Sequence, residues 1–139
     1  MLKDQSFYIL DANAIRMLNY NKIQELINKG IEIFTIEEVF HEVQSLKKVN
    51  DLKVRHLDAN SYKIMSYIIN KYECVQRLVN YYDNKGAADV ALLAYALTSD
   101  DGRLFGDEYI IVTNDNGLQK ACEELKVDYV SVENFQYLQ

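Results

Sequence analysis

Proline is missing from this chain, and so are internal repeats, low-complexity tracts and any composition break that would mark an interdomain linker. A length of 139 residues suffices for one continuous core and not for two, so a single domain over residues 1–139 is expected. No stretch approaches the roughly 18 apolar residues that a membrane span requires. The opening residues, Met1 to Gln5, place no hydrophobic segment after a basic one, which speaks against a secretory signal. Cysteine is scarce: Cys74 and Cys122 have no metal-ligand spacing and are expected to be buried free thiols in an intracellular, cytoplasmic setting. Basic charge is also short. The net charge of −6 disfavours any nucleic-acid binding that relies on Lys and Arg alone. The two histidines, His41 and His56, belong to no recognisable catalytic constellation.

What remains alternates in type along the chain. Residues 7–10 form an apolar run with β propensity, followed by helical stretches at 12–20 and 22–29. Gly30 stands where a helix C-cap glycine is expected, and 31–34 alternates as a strand. Thr35, Ile36, Glu37 and Glu38 match a capping box that opens a helix over 36–46. Residues 52–57 alternate apolar with basic, as in an edge strand with one wet face. Helices are expected at 61–72 and 73–82, a break near 84–86, and a strongly apolar helix from Asp89 to about Leu97. A loop over 99–106, a strand at 109–113, a helix at 116–126 and a strand at 128–132 complete the pattern. Strands joined by helical crossovers predict a three-layer α/β/α fold with a central, mainly parallel sheet. Ligands bind such sheets beyond the carboxyl ends of their strands.

Four acids fall where packing alone would not put them. Asp11 and Asp115 each follow an apolar strand, at the edge where ligands bind. Either could also be a helix N-cap, with Asn114 and Asn116 as competing caps in the second case. Asp89 shares a helix face with Leu93, the packed side, where a carboxylate has to be paired or metal-bound. Glu42 lies at the border of the stripe Ile36, Val39, Phe40, Val43 and Leu46, and alone would read as an exposed residue; Glu37 and Glu38 point further outward. Four carboxylates brought together repel unless a cation holds them. The grouping therefore points to divalent metal ions and to phosphodiester chemistry. Two such ions would cancel four of the six excess negative charges.

Together these motifs resemble those of PIN-domain nucleases over nearly the whole chain. Ile9, Leu10, Asp11, Ala12 and Asn13 resemble the opening strand end, hydrophobic–Asp–x–Asn/Ser. The segment from Glu37 to Val43 resembles the helix with the second acid, the segment from Ala88 to Ala94 the third-acid helix, and Val112, Thr113, Asn114 and Asp115 the fourth strand end. Phe34 to Val39, the basic strand 52–57, and Leu118, Gln119, Lys120 and Ala121 are most similar to the endonucleases that mature small-subunit ribosomal RNA. The four-cysteine zinc ribbon usual in those enzymes has no counterpart here. Asn114 takes the place of a frequent further Asp, Gly86 that of a common Ser cap, and Gly117 that of another acid.

The resemblance implies hydrolysis of single-stranded RNA that leaves a 5′-phosphate and a 3′-hydroxyl. One or two Mg²⁺ or Mn²⁺ ions would be held by Asp11, Asp89 and Asp115, with Glu42 on the second ion or on a water; all-oxygen ligation suits these hard ions. Asn13 and Thr113 are expected to orient the carboxylates through hydrogen bonds, although capping and turn bonds would use them equally well. Lys47, Lys48, Lys53 and Arg55, with His56 and Lys63 nearby, are the candidate RNA-binding cations, and Tyr81 and Tyr82 candidate stacking surfaces. Two other settings stay open: a ribonuclease toxin with an antitoxin partner, commonly a homodimer in such families, and a non-catalytic RNA-binding or ribosome-assembly module.

Overall fold

A computed structural model describes residues 6–43, 52–79, 86–102 and 108–138, with 99–102 described by backbone alone. Five strands, β1 (Ser6–Leu10), β2 (Glu32–Ile36), β3 (Lys53–Arg55), β4 (Glu108–Val112) and β5 (Asp128–Val130), form one all-parallel sheet in the order β3-β2-β1-β4-β5. The helices among the described residues are α1 (Ala12–Met17), α2 (Tyr20–Asn28), α3 (Glu37–Val43), α4 (Ala59–Lys71), α5 (Glu73–Leu78), α6 (Ala87–Gly102), α7 (Asn116–Leu125) and α8 (Val132–Gln136). Tyr8 meets the Phe135 ring of α8 on one face of the sheet. Phe34, which points the other way, meets Tyr95 of α6. Helices thus cover both faces, and the architecture is the expected three-layer α/β/α.

A sheet covered on both sides has no wet face, so its central strands must be apolar at successive positions. Ile9 and Leu10 on β1 and Ile111 and Val112 on β4 are fully buried, each worth roughly 1.5–3 kcal/mol over an exposed position. Helix α6 is apolar on every side from Val90 to Leu97, and Val90, Ala91, Leu92, Leu93 and Ala94 are fully buried, with α4 packed against the helix. The chain runs outward from β1 to β2 and β3, then crosses back to β4 and β5. Strand order therefore reverses between β1 and β4, which opens a crevice at their carboxyl ends.

Several boundaries differ from the sequence expectation, each for a physical reason. Strand β2 continues through Ile36, where β3 pairs with it, and the Thr35 hydroxyl donates to the Leu10 carbonyl oxygen (2.9 Å) instead of capping a helix. Helix α3 starts only at Glu37. Helix α6 runs on to Gly102, through the first part of the expected loop. Past β5 the chain turns into α8, capped by Ser131, where a longer strand was expected. Gly30, with φ +88°, ends α2 as foreseen. Cys74 and Cys122 are free thiols, Cys122 buried and Cys74 partly so. No helix among the described residues is long and apolar enough to cross a membrane.

Candidate metal centre

Asp11 directly follows β1 and caps α1, its Oδ1 accepting the Ala14 N–H at 2.7 Å. Its own N–H donates to the Val112 carbonyl oxygen (3.3 Å), which holds the residue against the end of β4. Asp115 repeats the device: it caps α7, and its Oδ1 accepts the Leu118 N–H at 2.8 Å. Capping and a place in the crevice are thus compatible, because a carboxylate has about four acceptor sites and a cap uses one. Between the two acids lies Thr113, fully buried. Its hydroxyl accepts the Asp115 N–H at 3.0 Å and helps hold the Asp11 carboxyl down, and Gln119 fixes its carbonyl oxygen at 2.8 Å. Thr113 thus sits between the two acids, its hydroxyl holding the Asp115 backbone and lowering the Asp11 carboxyl.

Asp89 enters from the first turn of α6, behind Gly86. Gly86 has φ +91°, and a Cβ there would overlap the Leu78 carbonyl group, so no larger residue fits at this place. Glu42 is exposed, on the last turn of α3. Asp11, Glu42, Asp89 and Asp115 line one cavity of about 590 Å³ at the strand-reversal point, together with Asn13 and Arg16 of α1. Ala12, Gly86 and Ala88 supply the small remaining wall.

The charges act on one another. Burial, then the charges of Asp115, Asp11 and Glu42, push the Asp89 carboxyl up to about 7. Asp11 is 3% exposed, and burial raises its carboxyl too; bonds from Thr113 and Ala14 oppose that rise, and Asp115 and Glu42 add to it. Beneath the acids, burial and the negative charges of Asp89, Glu123 and Asp11 push the Cys122 thiol up to about 12. A thiol so raised is inert. No hydrogen bond from a described residue reaches the Asp89 carboxylate.

The donor chemistry fits Mg²⁺ or Mn²⁺: the acids are hard carboxylate oxygens, and no thiolate or imidazole joins them. Among the described residues, no group of three or more His, Cys, Asp or Glu side chains is already arranged to hold an ion. Mg²⁺ is typically bound through one or two carboxylates and keeps several waters, so close convergence of three is not a requirement for it.

The remaining candidates fall elsewhere. Asn13 is exposed at the cavity and makes no hydrogen bond to the carboxylates of the described residues; its Oδ1 accepts from Arg16 Nη1 at 3.3 Å. Arg55, expected to meet RNA, turns inward. Its guanidinium lies over the Phe34 ring (4.1 Å) and donates to the Tyr95 and Tyr109 hydroxyls at 3.2 and 3.4 Å. Lys53 is exposed beside Glu32, 3.7 Å away. Lys47, Lys48, Tyr81 and Tyr82 lie outside the described residues. Asn114 braces α8, accepting the Val132 N–H at 2.9 Å and donating to Glu133 at 3.0 Å. Glu37 sits between His56 (2.7 Å) and His41 (3.4 Å), and Glu38 accepts from Tyr62; neither acid lines the cavity. Sequence reasoning passed over Arg16. Its only local signal is the i,i+3 spacing from Asn13, which puts both on one helix face.

Fold and site define an α/β/α protein with an acid-lined cavity at the strand-reversal point of its parallel sheet. No family model and no curated protein sequence matches the chain. Among solved structures it is similar to the crystal structure of PAE2754 from Pyrobaculum aerophilum, with a TM-score of 0.54 and 15% identity over 94% of this chain and 87% of that one. At such identity the likeness speaks for the fold.

Proposed function

We propose that this chain is a metal-dependent endoribonuclease acting on single-stranded RNA, built on a PIN-type arrangement of acids. The observation that supports it is the meeting of four carboxylates, from four separate segments, in one cavity where strand order reverses. Asp11, Asp89 and Asp115 would hold one or two Mg²⁺ or Mn²⁺ ions, with Glu42 at the rim. Ions so held supply a water of lowered pKa and neutralise charge on the phosphate. The chain's own part is positional. Capping bonds and Thr113 fix Asp11 and Asp115 in orientation, and the packed α6 holds Asp89 opposite them. The choice of RNA as substrate rests on the resemblance in sequence, and ribosomal RNA maturation and toxin action are two settings for the same chemistry.

The test is cleavage of an end-labelled single-stranded RNA with Mn²⁺ or Mg²⁺. The wild-type chain should cut it, EDTA should stop the reaction, and Asp89→Asn or Asp11→Asn should abolish cleavage while melting cooperatively. Full activity in either variant refutes the assignment. Calorimetric titration without Mn²⁺ binding would favour the non-catalytic module, and growth arrest on expression would favour the toxin.

A further inference from the structure

We propose that Gln119 is a positioning residue for the metal centre, fixing the turn that presents Asp115 to the acidic cavity. The inference rests on the metal-dependent reading of that cavity and adds to it a residue that touches neither ion nor RNA. Gln119 lies on α7, past the Asp115 cap, and does not line the cavity.

Its role begins where the sheet runs out. Val112 pairs with Val130, so Thr113 stands opposite Ser131. In a parallel ladder a residue so placed donates to the residue before its opposite and accepts from the one after it. The first bond is made, from the Thr113 N–H to the Val130 carbonyl oxygen at 3.0 Å. The second is not: the chain turns into α8, and the Val132 N–H goes to Asn114 Oδ1 at 2.9 Å. Thr113 is fully buried, and its carbonyl oxygen, without that rung, accepts from Gln119 Nε2 at 2.8 Å. Only the nitrogen end of an amide can face a carbonyl oxygen, so the partner fixes which way the Gln119 amide points.

Gln119 also holds the far end of the turn. Its backbone N–H donates to the Asp115 carbonyl oxygen at 2.9 Å, and the Asp115 N–H returns to Thr113 Oγ1 at 3.0 Å. One residue thus spans the turn from Thr113 to Asp115. Without its amide a buried carbonyl oxygen is left with no donor, which folded proteins rarely tolerate. The ladder's own donor, the Val132 N–H, can then return to Thr113, which releases Asn114 and turns the Asp115 carboxylate. Mg²⁺ demands near-octahedral geometry whereas Ca²⁺ accepts irregular coordination, so a loosened turn penalises Mg²⁺ more.

Calorimetric titration of Mg²⁺ and of Ca²⁺ into wild-type protein, Gln119→Met and Gln119→Ala is the test. Met keeps the length and helix propensity of Gln and lacks the donor; Ala removes the side chain without adding bulk. Both variants should bind Mg²⁺ about tenfold more weakly, with Ca²⁺ affinity changed by less than about threefold. Gln76→Met is the control. It removes a like bond, from Gln76 Nε2 of α5 to the Ile69 carbonyl oxygen at 2.9 Å, and should leave both affinities as in wild type. A merely structural Gln119 predicts wild-type affinities, or equal losses for the two ions, and either result overturns the inference alone. Wild-type protein that binds neither ion overturns the metal-centre reading, and this inference with it.

Discussion

Neutralising Asp89 should stabilise the metal-stripped protein, by an amount that grows with pH. In the folded chain its carboxyl is pushed from the usual 3.8 to about 7 by burial and by Asp115, Asp11 and Glu42. In the unfolded chain that environment is gone, and the ordinary value near 3.9 returns. Between those values the folded state binds a proton that the unfolded state has released, so stability falls as pH rises through the window. Below pH 4 both states are protonated and the penalty vanishes; above pH 7 it is complete. With about 1.36 kcal/mol per pH unit, the penalty is on the order of 1.5 kcal/mol at pH 5 and 4 kcal/mol at pH 8. Asn carries no charge and escapes it. Since 1 kcal/mol moves the melting temperature of a domain this size by roughly 3–5 °C, Asp89→Asn should melt about 10 °C or more above wild type at pH 8 in EDTA. At pH 5 the gap should shrink by more than half. Adding Mn²⁺ to the wild-type protein at pH 8 should raise its melting temperature, because an ion bound only by the folded state stabilises it. A difference between the two proteins that does not change with pH would refute the electrostatic account.

Three further outcomes follow from particular contacts. Gly86→Ser should cost about 3 kcal/mol or more in urea unfolding, because its Cβ would overlap the Leu78 carbonyl at a positive φ. Thr113→Val deletes the hydroxyl shared by Asp11 and the Asp115 N–H; calorimetry should show about tenfold weaker Mn²⁺ binding, with a stability loss of about 1–3 kcal/mol. Arg55→Ala should lower stability by about 2 kcal/mol in the same unfolding assay, yet leave RNA affinity and its salt slope unchanged, since the guanidinium belongs to the aromatic cluster.

The four acids were legible because each is marked by the apolar pattern around it. Asp11 and Asp115 terminate strands, Asp89 stands on a packed helix face, and Glu42 borders one. Hydrophobic periodicity encodes strand ends and helix faces, and parallel topology then decides which ends meet. What escaped depends on contacts between distant segments. The alternation around Arg55 describes an edge strand correctly, but only the folded sheet shows that its inward face meets Phe7, Phe34, Tyr95 and Tyr109. Thr35 fits a capping box locally, and pairing with β1 and β3 draws it into the sheet instead. Arg16 looks like any exposed helical arginine until α1 is laid beside α3. Gly86 could be taken for an interchangeable cap, and only its closeness to Leu78 shows that no side chain fits.

The two outer strands, β3 and β5, are each three residues long and carry Lys53, Arg55 and Asp128. A rim so brief and so charged offers a neighbouring polypeptide few vacant amides to zip onto, and it discourages growth of the sheet from molecule to molecule. Pairing between copies of this chain through these borders is accordingly disfavoured, leaving them as they are in the lone molecule.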